Sequence, residues 1–170
     1  MGLTAAHQLA LRGASVTIYD RRREAGRGCS WWAGGMLALW CEMESAEALI
    51  GDLGLESLAY WRAHFPDVIN QGSLVVAPPR DTPDLKRFAA RTSHFEVIDG
   101  ARLAVLEEDL AGRFETGLFF KDEDHLDPRK ALDFLFKRLQ ADFNVRFVMD
   151  SDVRPEALHA SYVLDCRGYE

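Results

Sequence analysis

Apolar residues recur at helical spacing from the start of the chain. Leu3, Ala6, Leu9 and Ala10 mark one face of a helix, and Gly13 stops it. Residues 15–19, Ser-Val-Thr-Ile-Tyr, are β-branched and aromatic and end at Asp20, which predicts a short buried strand. Further on, 45–64 reads as helical. Ser45 is its expected cap, and Leu49, Leu53, Leu58 and Trp61 are its apolar positions. Gly51 and Gly54 weaken its middle, so the pattern fits two helices as well as one. Strands are expected at 72–77, 95–98 and 117–120. A basic, exposed helix is expected at 84–92, and a short helix or turn at 101–106. The helix at 129–139 places Leu132, Leu135, Phe136 and Leu139 on one face, with Asp127 as N-cap and Pro128 at the first helical position. Strands at 145–148 and 161–168 follow, the latter running into a turn at Gly168.

Composition narrows the class. With 170 residues, 48% hydrophobic and 28% charged, the chain falls in the globular range and has the length of about one domain. A net charge of -7 argues against binding a nucleic-acid backbone. The longest apolar stretch, 31–40, contains Gly34 and Gly35 and is shorter than the roughly 20 residues of a membrane span. Cys29, Cys41 and Cys166 are an odd number with no Cys-x-x-Cys spacing. This predicts free thiols, no zinc site and a reducing, cytoplasmic location.

Two segments carry candidate chemistry. The order helix, tight turn, strand, acid is that of the second half of a dinucleotide-binding unit. Gly2 lies where its third glycine would be, and Asp20 where an acid meets the ribose hydroxyls. A plain surface hairpin with a capping Asp fits the same residues equally well. Next, Arg21, Arg22, Arg23 and Arg27 are interleaved with Gly26, Gly28, Gly34 and Gly35 around Trp31 and Trp32. Glycines let a backbone approach a ligand and offer N–H groups, and arginines add donors for phosphate. The other reading of this stretch is a flexible surface turn. Around His125, Asp122, Glu123, Asp124 and Asp127 resemble metal ligands, but they belong to one loop, so a solvated loop is expected and no metal.

These residues taken together, 3–6, 16–21 and Cys29-Ser30-Trp31-Trp32-Ala33-Gly34-Gly35-Met36-Leu37, resemble the flavin domain of the D-amino-acid oxidase superfamily. The branch they are most similar to is the glycine oxidases of thiamine biosynthesis. The resemblance implies an α/β fold: an FAD-binding, Rossmann-like domain of the glutathione-reductase type, interleaved with part of an α+β substrate domain. Residues 1–44 and 125–170 would belong to the FAD domain and 45–124 to the substrate domain. His125-Leu126-Asp127-Pro128 would lead the chain back.

The family's cofactor contacts carry over as follows. Met1 and Gly2 would close the phosphate loop. Asp20 and Arg21 would hold the adenosine ribose. Cys29 and Ser30 would stand where a Ser/Thr pair wraps the pyrophosphate, with a thiol, a weaker donor, replacing one hydroxyl. Gly34, Gly35 and Met36 would run beside the isoalloxazine. The backbone of Val153 would meet adenine, and Cys166, Arg167 and Gly168 would form a turn against the cofactor.

The implied reaction is oxidation of glycine, or a similar small amine, by FAD and oxygen to an imine and hydrogen peroxide, feeding the thiazole ring of thiamine. A sarcosine or D-amino-acid oxidase and an inactive remnant are the rival readings. No catalytic side chain is identified. A homo-oligomer is compatible with the resemblance, and the chain is expected to be a piece of a longer enzyme, inactive by itself.

Overall fold

The computed structural model describes residues 1–168. In chain order the helices are α1 Gly2–Leu11, α2 Leu39–Glu42, α3 Ala48–His64, α4 Thr82–Arg91, α5 Gly100–Leu106 and α6 Pro128–Asp142. The strands are β1 Thr17–Tyr19, β2 Met36–Leu37, β3 Ser73–Val76, β4 Glu96–Asp99, β5 Thr116–Phe120, β6 Asp124–His125 and β7 Arg146–Val148. The fold is mixed α/β. The chain divides into two compact units, Met1–Gly34 with Asp127–Glu170, and Gly35–Leu126. The stretch expected to be substrate domain, 45–124, falls inside the second unit, which also takes in 35–44. Charge is unevenly shared. The first unit has twelve Lys and Arg against ten Asp and Glu, the second eight against seventeen. Among the described residues no helix is long and apolar enough to cross a membrane.

In the first unit three of the four predicted positions of the α1 stripe are buried, whereas Leu9 is 37% exposed and His7 takes its place on the inner face. Leu3, Ala6, His7 and Ala10 face inward, as do Ala131, Leu135 and Leu139 of α6. Small residues at Ala6, Ala10 and Ala131 let the two helices approach closely. The His7 ring meets Phe143 edge-on at 5.4 Å. Gly13, at φ +81°, ends α1, and β1 returns to pair in parallel with β7, Ile18 opposite Phe147. Asp127 starts α6 by accepting from the N–H groups of Arg129 and Lys130 at 2.9 and 3.3 Å.

Two strand expectations need correction here. β1 is not buried: Thr17 and Tyr19 are exposed, because among the described residues only β7 flanks it. Residues 161–168 form no strand; no ladder partner lies beside them among the described residues, and Tyr162 is 91% exposed.

The second unit is built on an antiparallel sheet in the order β3-β5-β4. Leu118 and Phe120 of β5 and Leu85 of α4 form its core, with Phe88 and Phe95 packed on them. The expected helix at 45–64 is one helix, α3, and it begins later than the pattern suggested. Ser45 lies in a turn, its N–H donating to Glu42 O at 3.2 Å, and Glu47 occupies the N-cap position without a side-chain bond. The glycines do not break α3. A Cβ on Gly51 would come within 3.0 Å of Met43 Sδ, and one on Gly54 within 2.7 Å of Leu39 Cβ. They are the positions at which α2 and the turn after it press against α3. A second, two-stranded sheet pairs β2 with β6, Met36 opposite His125 and Leu37 opposite Asp124.

Candidate functional site

The nucleotide-like features cluster in the first unit. α1 begins without a side-chain cap and without an acid in its first turn. The N–H groups of Gly2, Leu3 and Thr4 precede its first intrahelical bond, from Ala5 N–H to Met1 O at 3.1 Å. A helix start of this kind carries partial positive charge and directs its donors outward, which suits an anion. Gly2 is in contact with the end of the chain: a Cβ there would lie 3.6 Å from Cys166 Cβ. β1 follows α1 after the turn at Gly13, and Asp20 comes directly after that strand.

Asp20 is held from both sides. Its N–H donates to Val148 O at 3.1 Å, and its carbonyl accepts from Ser151 N–H at 3.0 Å. Oδ1 accepts from Arg22 N–H at 2.9 Å, a turn that fixes the carboxylate. Oδ2 has no hydrogen-bond partner among the described residues. Arg21 is exposed beside it. Val153 lies two residues beyond Ser151 in an irregular, half-buried stretch. The backbone bond between 20 and 151 thus brings Asp20 and the Val153 segment together.

The loop after β1 is ordered by its arginines. Arg27 stacks on Trp31, its Cζ 3.4 Å from the ring centre, and donates to Glu24 Oε2 at 2.7 Å. Arg129 of α6 lies 5.7 Å from the same ring and donates to Trp31 O at 3.4 Å. Cys29–Trp32 is a single 3-10 turn, which leaves Cys29 and Ser30 exposed. Sequence reading marked the two tryptophans and Arg27, but not Arg129. Arg129 is 98 positions from Trp31, a pairing that local spacing does not reveal. Farther along, Arg167 grips Asp165 at 2.9 and 2.6 Å, and Gly168 sits at φ +90°. That pairing holds the exposed Asp165 carboxyl at a pKa of about 2.

The remaining predicted residues begin with Gly34, whose Cβ position meets nothing within 4 Å. Gly35 and Met36 belong to the second unit. Gly35 has φ +77° and Met36 is 63% exposed. What fixes them is the loop expected to be solvated. Glu123 and Asp124 are instead fully buried. Asp124 accepts from Arg62 Nε and Nη2 at 2.6 and 2.9 Å and from the Asn70 amide. Burial alone would raise its pKa, but the Arg62 and Asn70 hydrogen bonds outweigh it and hold the carboxyl below its usual range. Glu123 accepts from the N–H and the thiol of Cys41, at 2.7 and 3.3 Å. Burial first, then the Glu123 charge and hydrogen bond and the Glu42 charge, push the Cys41 thiol well above the ordinary range. No group of three or more metal-type ligands occurs among the described residues, and all three cysteines are free thiols.

The donor set of the first unit fits the dinucleotide half of FAD. Open helical N–H groups and a basic balance suit a pyrophosphate, and Asp20 offers an acceptor to a ribose hydroxyl.

Comparison with known proteins agrees with this chemistry. Residues 1–158 match the DAO family model, described as FAD dependent oxidoreductase. A Rhizobium etli protein, provisionally named thiamine biosynthesis oxidoreductase ThiO, is 45% identical over 172 aligned positions, covering 98% of this chain and 51% of its own. The chain therefore spans about half the length of the curated relative it matches. Among solved structures, a glycine oxidase of Bacillus cereus superposes with a TM-score of 0.73 at 17% identity, over 89% of this chain and 45% of that one. An FAD-bound L-alpha-glycerophosphate oxidase of Mycoplasma pneumoniae superposes at 0.71 and 15% identity, over 89% and 42%. At such identities the likeness establishes the fold, and the fold alone does not choose between an amino acid and a glycerophosphate.

Proposed function

This chain belongs to the DAO family of FAD-dependent oxidoreductases, and on that premise we propose that it holds FAD for the oxidation of glycine, or a similarly small amine, to an imine. The observation that carries the cofactor assignment is the pairing of an uncapped helix start at Gly2 with a fixed carboxylate at Asp20. The choice of a small amine rests on the resemblance of residues 29–37 to the glycine oxidases of thiamine biosynthesis, and the name of the 45% identical Rhizobium etli relative supports a role in thiamine biosynthesis.

In this reading the N–H groups of Gly2, Leu3 and Thr4 receive the pyrophosphate, with Met1 at the turn before them. Asp20 accepts from the ribose, with Arg21 beside it, and the backbone at Val153 meets adenine. Cys29 and Ser30 flank the phosphates, Ser30 as the stronger donor. Cys166, Arg167 and Gly168 close over Gly2. Gly34, Gly35 and Met36 run along the isoalloxazine, where a small or flexible side chain lets the backbone approach. When bound, FAD supplies the electron acceptor for the substrate C–H bond; the residues named here bind and orient it. Residues 1–44 and 125–170 are assigned to the FAD domain and 45–124 to the substrate domain. The substrates are the amine and dioxygen, peroxide is the second product, and no nucleic acid or membrane takes part. A cytoplasmic location goes with the three free thiols, and a homo-oligomer is compatible with the reading.

Sarcosine and D-amino acids are the competing substrates. The test has two arms. Titration with FAD, followed by flavin fluorescence, should give an affinity that falls roughly tenfold or more in Asp20→Ala, the loss expected for a hydrogen bond to a charged acceptor. Unchanged affinity removes the cofactor assignment. Peroxide release from glycine, sarcosine and D-alanine, measured on an enzyme of the relatives' full length that carries these residues, then ranks the substrates, and a preference for either rival removes the glycine reading.

A further inference from the structure

We propose that Glu123 is a positioning residue that sets the geometry of the segment 35–37 for its contact with the flavin. What lies against Gly35 and Met36 rests on the reading given above; the frame behind them is a matter of geometry.

Residues 123–126 form a strap along the back of 35–41. Leu126 N–H donates to Gly35 O at 2.9 Å, His125 lies opposite Met36, Asp124 opposite Leu37, and Glu123 binds Cys41. The strap follows the segment step by step from Gly35 to Leu37, and Glu123 then reaches past 38–40 to Cys41. The strap is itself anchored on its other side. Arg62 of α3 and Asn70 hold Asp124, Ile69 exchanges two backbone bonds with His125 at 2.8 and 2.9 Å, and Gly72 N–H donates to Glu123 O at 3.1 Å. The segment is thus gripped from behind, and Met36 remains 63% exposed on the other side.

Glu123 stands out in this frame. It is fully buried, and no cation pairs with it among the described residues. A buried carboxylate without a counter-ion is costly, and an apolar residue would fill the space at less expense. What the acid supplies, and an apolar residue would not, is a pair of acceptors. Two oxygens accepting from two groups of one residue fix both the distance and the rotation of Cys41, at 2.7 Å to its N–H and 3.3 Å to its thiol. The Cys41 thiol stays protonated, and so remains a donor, because burial and the Glu123 charge disfavour its anion. With Cys41 fixed at the far end and Leu126 bonded to Gly35 at the near end, the intervening backbone has little freedom. Gly35, at φ +77°, is the point at which the segment turns into this frame.

The test compares Glu123→Gln, Cys41→Ala and Cys41→Ser by amide hydrogen exchange and by FAD titration of the same samples. Gln keeps the shape but offers one acceptor where Glu offers two. Ala removes only the thiol donor, so it reports even if the Gln variant folds poorly. Ser keeps a donor and should restore the parent behaviour. Exchange in peptides covering 35–41 and 122–126 should rise at least tenfold in the Gln and Ala variants. Exchange across the β3-β5-β4 sheet should stay unchanged, and the FAD dissociation constant should rise severalfold. Unchanged local exchange, or faster exchange throughout the unit, overturns the proposal, the second because Glu123 would then be a general support. Faster local exchange with unchanged FAD affinity also overturns it. In that case Asp20→Ala separates the two levels. If it weakens FAD, this inference alone has failed; if it too is without effect, the cofactor reading has failed with it.

Discussion

A Cβ on Gly54 would lie 2.7 Å from the Cβ of Leu39, closer than two such carbons pack. Leu39 Cβ is fixed to the backbone of α2, so the clash cannot be relieved by a side-chain rotation. Replacing a helical glycine by alanine normally stabilises by roughly 0.5–1 kcal/mol. Here overpacking, at roughly 1–3 kcal/mol, outweighs that gain. Gly54→Ala should therefore lower the unfolding free energy in urea. Gly51→Ala is the control: its neighbour, Met43 Sδ at 3.0 Å, belongs to a flexible side chain and can move. That variant should be neutral or slightly stabilising. Equal effects at both sites would contradict the packing of α2 on α3.

The three thiols should separate by reactivity. Cys29 and Cys166 are exposed, whereas Cys41 is half-buried and bonded to Glu123. Alkylation of the native protein near pH 8, read by peptide mass spectrometry, should label the first two and spare Cys41 until the protein is denatured.

The same Cys41 pair makes stability sensitive to base. A thiol whose folded pKa is raised contributes stability that is complete below its unfolded value of about 8.5 and is lost as pH rises. The slope can reach about 1.4 kcal/mol per pH unit. Melting of the parent protein should therefore fall relative to Cys41→Ser between about pH 8.5 and 10, since serine does not ionise there. Parallel melting curves would show that Glu123 and Cys41 do not interact as described.

Asp124 has the opposite sign. Its folded pKa is depressed, so its contribution is complete above the unfolded value near 3.9 and disappears as pH falls through the folded one. Asp124→Asn should cost roughly 1–3 kcal/mol at pH 7, within the range for hydrogen bonds to a charged group. Arg62 is half-exposed, so water meets part of its lost charge pairing. The gap between parent and variant, from urea unfolding, should narrow below about pH 4. A constant gap across that range would mean that the carboxylate charge is not what holds Arg62 and Asn70.

Gly35→Val should fail for two separable reasons. At φ +77° a β-branched residue is strained, at roughly 1–3 kcal/mol. A side chain there also obstructs the approach proposed for the flavin ring. Gly35→Ala meets less backbone strain but still adds a Cβ. If FAD affinity falls in both variants while only Val lowers the melting temperature strongly, the contact is supported. If Ala binds FAD normally, Gly35 is needed for its conformation alone.

The local signals in the sequence were sufficient where the responsible residues are neighbours. The α1 stripe, the stop at Gly13, the start of α6 at Asp127-Pro128 and the acid after β1 all depend on residues within a turn or two of one another, and all are present. The cofactor family was legible for the same reason, since the glycine loop and Asp20 lie within one short stretch. Tertiary structure decided what depends on partners far along the chain. Glu123 and Asp124 read as solvated acids, but Cys41 and Arg62, 82 and 62 positions away, supply the donors that make their burial possible. Residues 161–168 have the composition of a strand, yet among the described residues no strand pairs with them in a ladder. Helix caps and turns are satisfied locally, whereas a buried charge or a strand edge is satisfied only by whatever the fold brings to it.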